Sequence, residues 1–181
     1  MNEDMELTER CVRGDAEALE KLILKYRKQV YVFILRMVGN VEDALDLSQT
    51  VFMNMASAIG DFRGEASFKT WLYRIASNLS LNHLKRCNPS LDDMEEGEKI
   101  LEKIPSGQKG IEAVMLEQEK KELLQRGISS LPPRQREAVL LRVYGGLSLA
   151  QTADAMQCSE GAVKAHYSLA VKKLKEAAQV E

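Results

Sequence analysis

Long apolar runs are missing from this chain. No stretch of about 18 hydrophobic residues occurs, so no membrane-spanning helix is expected. The opening MNEDMELTER is acidic and lacks the apolar core of a signal peptide, so a cytoplasmic location is expected. Cysteine is scarce: Cys11, Cys87 and Cys158 are odd in number and far apart, against a disulfide framework. There are two histidines, His83 and His166. No phosphate-binding glycine loop, nucleophile elbow, HExxH or dinucleotide fingerprint is present. An enzyme would need paired carboxylates that spacing does not supply, so no catalysis and no cofactor are expected. His83 and Cys87 sit one helical turn apart as possible zinc ligands. Cys11 and Cys158 are remote from them in sequence, and no metal site is expected.

What remains is an ordinary globular composition, 45% hydrophobic and 29% charged over 181 residues. Net charge is −2, too small for a general polyanion binder, but the charge is unevenly placed. Residues 61–86 hold five bases against two acids, and residues 157–175 hold four lysines against Glu160. Between them, residues 88–112 hold seven acids against three lysines. Two basic patches flanking an acidic middle suit local, selective polyanion binding.

Nearly every periodic segment reads as helix, and no strand-like alternation appears. Val12, Ala16, Leu19, Tyr26, Val30 and Phe33 outline one long helix, or two in line, ending near Gly39-Asn40. A second helix fits 42–58 and a third fits 67–86, with Ser67 as N-cap. Prolines, glycines and acids at 88–110 mark a linker. The fold class is all-α: a helical module over 1–87, the acidic linker 88–110, and a second helical module over 111–181. In the second module a helix is expected near 111–126, then one opened by Pro133 and closed by Gly145-Gly146. Ser148 and Gln151 form a capping box. Ser159 caps another helix after a tight turn at Gln157-Cys158. That is the form of a helix-turn-helix. On its second helix Val163, Tyr167, Ala170, Val171 and Leu174 share an inward phase, while Lys164, Ser168, Lys172 and Lys175 share the opposite face. Lysines at that spacing reach successive phosphates, and Ser, Lys and His can meet base edges.

The segment DFRGEASFKTWLYRIASN (61–78) is the most unusual. It holds four of the ten aromatics, Phe62, Phe68, Trp71 and Tyr73, interleaved with Arg63, Lys69 and Arg74. Cores rarely carry a base every few positions. Arg74, Asn78 and Asn82 fall on one helical face.

FRGEASFKTWLYRIASN closely resembles the promoter minus-10 recognition region of extracytoplasmic-function (ECF) sigma factors of the sigma-70 family. DALDLSQTVF (43–52) resembles that family's core-polymerase-binding segment, and LPPRQREAVLLRVYGGLS resembles the start of its minus-35-binding domain. The resemblance covers nearly the whole chain, with three motifs in order. It implies an RNA polymerase sigma factor that binds core RNA polymerase and promoter DNA, both double- and single-stranded, with the polymerase doing the chemistry. It implies that Arg63, Lys69, Trp71, Arg74, Asn78 and Asn82 serve the minus-10 element, because unstacked bases need aromatic surfaces and their phosphates need cations. Trp71 and Phe68 divide evenly between core and DNA-facing readings, and Arg63, Lys69, Arg74, Asn78 and Asn82 are the contact candidates. Ser159, Lys164, His166, Ser168, Lys172 and Lys173 would serve the minus-35 element. Asp43, Asp46, Gln49 and Phe52 would face the polymerase clamp helices. An anti-sigma partner is implied too, and a linker that threads the polymerase.

Several positions depart from the family's pattern. Leu45 and Thr50 replace common acids, and Met55 a frequent tryptophan. Gln157 replaces a turn glycine, and His166, Leu169 and Val171 stand where arginine is frequent. Two rival readings share parts of this pattern: an autonomous helix-turn-helix regulator, and a sigma-like or anti-sigma-like interaction module.

Overall fold

The computed structural model describes residues 3–87 and 126–179. The acidic linker and most of the helix expected at 111–126 lie outside the described residues. Among the described residues every regular element is helical. Helices α1 (Glu3–Val12), α2 (Ala16–Val38), α3 (Val41–Ala58) and α4 (Phe68–Cys87) form the first module, with a 3-10 turn at Ile59–Asp61 after α3. In the second, residues 126–130 are helical. Then come α5 (Pro133–Val139), running on through a π-helical turn at Leu140–Tyr144, α6 (Leu149–Met156) and α7 (Glu160–Gln179).

The first helical segment is two helices, and they are not in line. Gly14 takes φ 89°, a left-handed conformation that glycine adopts without steric cost. The Asp15 carboxylate then accepts from Glu17 N at 2.9 Å and Ala18 N at 3.1 Å, capping α2. It also accepts from Arg10 Nε at 2.8 Å, so the turn is tied to both helices. As a result α1 folds back along α2. Tyr26 Oη donates to Asp4 at 2.5 Å, and Lys25 Nζ reaches Asp4 at 2.7 Å. Burial beside that carboxylate pushes the Tyr26 phenol well above its ordinary pKa.

The remaining boundaries follow their caps. Gly39 ends α2 at φ 78°, and Asn40 caps α3 through Glu42 N and Asp43 N. Ser67 Oγ accepts from Thr70 N at 3.1 Å at the start of α4. The Ser148–Gln151 box is complete in both directions. Leu22, Val30, Phe33, Ile34 and Met37 from α2 meet Val51 and Met55 from α3 and Leu72 and Ala76 from α4, all essentially without exposure. Each such large side chain contributes about 1.5–3 kcal/mol on burial. Phe33 packs edge-on against Tyr73, ring centroids 5.2 Å apart.

This buried cluster does not stop at the first module. It continues through Ile128, Ala138, Leu140, Leu141, Leu147 and Ala153 of the second. The two modules therefore pack against one another, with α4 alongside α6 and α2 against the π turn.

Candidate nucleic-acid interface

The aromatic-basic segment is built around the entry to α4. Phe68 is core, only 4% exposed, and stacks at a tilt on Tyr26 with centroids 5.5 Å apart. Trp71 is half-buried and completes a cluster with Phe62 at 5.2 Å and Phe68 at 5.9 Å. Phe68 is therefore core and anchors the loop, while Trp71 is half-buried beside it. Gly64, at φ 73°, lets the chain 62–67 turn sharply between the 3-10 turn and α4. The turn leaves a cavity of about 290 Å³ lined by Asp61, Phe62, Arg63, Gly64, Trp71, Arg74 and, from the other module, Asp154. That volume sits at the lower edge of small-ligand pockets.

Arg63, Asn78 and Asn82 are exposed, and Lys69 and Arg74 half-buried. Arg74, Asn78 and Asn82 follow one another a turn apart on α4, as their spacing requires. Arg74 is not free in this arrangement. Its Nη2 lies 2.6 Å from Asp154 Oδ1 on α6, while its Nε is buried with no hydrogen-bond partner. Lys69 also leans toward the second module, its Nζ 3.9 Å from where a Cβ on Gly146 would stand.

On α7, Val163 and Ala170 are fully buried, and Tyr167, Val171 and Leu174 are half-buried. Ser159 Oγ accepts from Ala162 N at 3.1 Å and so caps the helix. Of the minus-35 candidates, Ser159, Lys164, Lys172 and Lys173 are exposed, and His166 and Ser168 half-buried. Lys172 lies at the 4.0 Å limit of a pair with Glu176. His166 borders a cleft with Arg134, Met156 and Cys158. The expected inward phase is thus kept, and the basic face points outward.

Helix α3 shows a mixed outer face. Asp46 and Gln49 are exposed, with Asp43 and Phe52 half-buried. Leu45 is 50% exposed and Met53 69% exposed on the same helix. Asp43 Oδ2 lies 3.3 Å from His83 Nε2, which links α3 to α4. His83 Nε2 is also 3.5 Å from Cys87 Sγ. No group of three or more His, Cys, Asp or Glu side chains among the described residues could hold a metal ion. No described helix is long and apolar enough to cross a membrane.

Comparison with known proteins agrees with this arrangement. Residues 22–88 match the family Sigma-70 region 2, and residues 121–174 match Sigma-70, region 4. The RNA polymerase sigma-H factor of Pseudomonas aeruginosa is 39% identical over 171 residues, covering 90% of this chain and 86% of the relative. The ECF RNA polymerase sigma-E factor of Escherichia coli K12 is 36% identical over 170 residues, covering 89% and 86%. This chain belongs to the ECF sigma factors of the sigma-70 family. It is an RNA polymerase sigma factor. Its fold resembles that of CnrH in complex with the cytosolic domain of CnrY, with TM-score 0.70 at 19% identity, covering 99% of both chains. It also resembles the sigma factor RpoE of Bartonella quintana in complex with the anti-sigma factor NepR, with TM-score 0.66 at 21% identity, covering 90% and 97%.

The departures from the family's pattern now have positions in the sigma factor. Met55 is wholly buried, filling core on the inner face of α3. Thr50 turns its hydroxyl back to the Asp46 carbonyl at 2.9 Å. Leu45 puts an apolar side chain on the outer face of α3. Gln157 adopts φ 54°, the left-handed conformation that glycine would take more easily.

Sequence reading missed the residues that join the modules. Arg36 Nη1 donates to Tyr144 Oη at 2.8 Å, with the guanidinium 4.0 Å from the ring centroid. Arg136 donates to the Met37 carbonyl at the end of α2, and to the Ser129 and Leu131 carbonyls at 2.5 and 3.1 Å. A cation there complements both the orphan carbonyls and the helix dipole. Glu137 has no exposure and pairs with Arg134 at 3.1 Å. Burial pushes its carboxyl pKa up, against the pull of Arg134 and Ser77. Ser77 of α4 is close enough to favour the charged form, yet neither Ser77 Oγ nor Glu137 Oε1 completes a hydrogen bond of proper geometry. The partly exposed Arg74–Asp154 pair, by contrast, contributes at most about 1 kcal/mol.

Proposed function

We propose that the first module, residues 1–87, both docks this sigma factor on core RNA polymerase and captures the minus-10 element as a single strand, while the second, residues 111–181, reads the minus-35 duplex. Residues 88–110 join them. The observation that carries the reading is the Phe62–Phe68–Trp71 cluster opening into a cavity flanked by Arg63 and Arg74. A base that leaves the duplex stack needs an aromatic face at the depth of Trp71. Its phosphates need cations at the rim, where Arg63 and Arg74 lie. Stacking on such a surface is worth about 1–3 kcal/mol per base, comparable with the cost of unstacking a step. Asn78 and Asn82 extend the polar face of α4 for adjacent nucleotides.

The outer face of α3 docks the polymerase through Asp43, Asp46, Gln49 and Phe52, with Leu45 adding apolar contact where the pattern commonly has charge. Helix α7 enters the major groove, with Ser159, Lys164, His166, Ser168, Lys172 and Lys173 supplying phosphate and base contacts. The sigma factor itself carries no catalysis, since phosphodiester formation belongs to the polymerase. It works in the cytoplasm beside the polymerase. An anti-sigma protein is its proposed regulator, since the neighbours of the same fold are found with CnrY and with the anti-sigma factor NepR.

Gel filtration with bacterial core RNA polymerase, followed by transcription from a promoter library, tests the reading. Co-elution with promoter-dependent transcripts is the expected result. Tight duplex binding by the free protein without co-elution would replace it with an autonomous regulator.

A further inference from the structure

We infer that Cys87 is a reactive thiol that exchanges with low-molecular-weight disulfides of the oxidised-glutathione class, with His83 as its base, and that the adduct weakens docking at Asp43. The thiol site stands on its own geometry. The effect on docking rests on the proposed assignment of α3 to the polymerase.

All three cysteines are free. Cys11 is buried and Cys158 half-buried, and burial pushes both thiols up, away from the thiolate. Cys87 is exposed at the last position of α4. One turn before it, His83 places Nε2 3.5 Å from Cys87 Sγ, and the same nitrogen lies 3.3 Å from Asp43 Oδ2 on α3. A proton moved from the thiol to that nitrogen makes an imidazolium held between thiolate and carboxylate, and both anions favour the charged ring. The C-terminal turn of a helix favours a cation as well. Lys85 and Arg86 make the same turn basic, which favours a thiolate.

The exchange needs no other reactant. The Cys87 thiolate attacks one sulfur of the disulfide, the new S–S bond forms as the old one breaks, and the departing thiolate takes the proton from His83. Cys87 is oxidised, and half of the disulfide is reduced to a thiol. The adduct withdraws the sulfur from His83. It leaves a tripeptide-sized group with two carboxylates beside the His83–Asp43 link between α3 and α4.

The test treats the intact, reduced chain with oxidised glutathione and follows adducts by intact mass and peptide mapping. The first adduct is expected on Cys87. His83→Gln keeps polarity without the base, and is expected to slow that adduct about three- to tenfold. The advantage of the parent should widen as pH falls from about 8.5, the ordinary thiol pKa, a profile that a packing role for His83 would not produce. After removal of excess disulfide, gel filtration with core RNA polymerase compares the reduced, modified and dithiothreitol-recovered parent with Cys87→Ser carried through the same treatment. Lower co-elution of the modified parent alone, restored on reduction, is the expected result. Adducts spread evenly over the three cysteines, or equal rates in parent and His83→Gln, overturn the thiol site. A Cys87 adduct that co-elutes undiminished overturns the effect on docking. Failure of the reduced parent to co-elute removes the assignment of α3, and the docking effect falls with it, while the mass data still decide the thiol site.

Discussion

Arg134 Nη1 stands 3.1 Å from Glu137 Oε2, one turn along α5, and that carboxylate has no solvent exposure. The guanidinium is shared with the Met156 carbonyl at 3.3 Å, so it compensates the acid only in part. Desolvation wins, and the Glu137 carboxyl pKa is raised above its ordinary 4.5.

The sign of the pH dependence follows. A carboxyl whose folded pKa is raised binds its proton more tightly in the native state than in the unfolded one. Its favourable contribution is complete below the unfolded value and is lost as pH rises through the folded value. From the ordinary carboxylate pKa upward, the Glu137 contribution therefore falls with increasing pH. Urea midpoints should rise on moderate acidification from neutral pH, and Glu137→Gln should flatten that slope. Because Arg134 keeps the Met156 carbonyl, the neutral variant should match or exceed the parent at neutral pH, by up to about 1 kcal/mol. A slope unchanged in the variant would place the titration elsewhere.

Gln157 tests the turn of the helix-turn-helix. It is the one non-glycine residue with positive φ among the described residues, at φ 54° and ψ 45°. An L side chain in that region costs about 1–2 kcal/mol, and glycine returns part of it as unfolded-state entropy. Gln157→Gly should stabilise the protein by about 1 kcal/mol, seen as a higher urea midpoint at unchanged slope. Destabilisation would mean that the Gln157 side chain contributes more than its backbone costs.

Gly145 makes the opposite case, by close approach rather than by φ. It closes the π-helical turn, donating its N–H to the Leu140 carbonyl at 2.8 Å. A Cβ there would stand 2.6 Å from the Leu141 carbonyl oxygen. Gly145→Ala must shift backbone next to the fully buried Leu140 and Leu141, costing about 1–3 kcal/mol. Since that turn carries Tyr144 to Arg36, thermal unfolding should report the loss.

The helices and their ends were legible because their signals are local. Ser67, Ser148 and Ser159 act within three residues of themselves, and apolar spacing placed Val163 and Ala170 inward. The fold-back of α1 on α2 was not legible. Apolar periodicity runs through Val12 and Ala16 without a break, and only the Gly14-Asp15 conformation separates a bend from a straight helix. The candidate site was legible as a set of residues, since Phe62, Trp71 and Arg74 are close in sequence. Its contact with the second module was not. Asp154, Tyr144 and Arg136 meet partners about a hundred positions away, and nothing in the sequence near Asp154 distinguishes it from a solvated helix acid. Phe68 shows the limit between these cases: its segment marked a site, and only packing against Tyr26 decided that it faces inward.

Trp71 offers the most direct test of strand capture, provided packing and stacking are separated. Its ring packs against Phe62 and Phe68, and the residue also lines the cavity. Trp71→Ala removes both the aromatic surface and part of the support for Phe62, so its effect on its own is ambiguous. Trp71→Phe keeps a stacking face and most of the packing. With holoenzyme on a promoter identified from the library, Trp71→Ala should lower open-complex formation by the value of one stacked base. That is about 1–3 kcal/mol, or roughly five- to 150-fold. Trp71→Phe should retain most of it, and core binding by gel filtration should be unchanged in both, since the proposed docking face lies on α3. Potassium permanganate footprinting reads the opened thymines directly. If Trp71→Phe loses as much opening as Trp71→Ala with helix content intact, the indole makes a specific contact rather than a general stack. If neither loses opening, Trp71 belongs to the core with Phe68, and the strand is captured by the cations of α4.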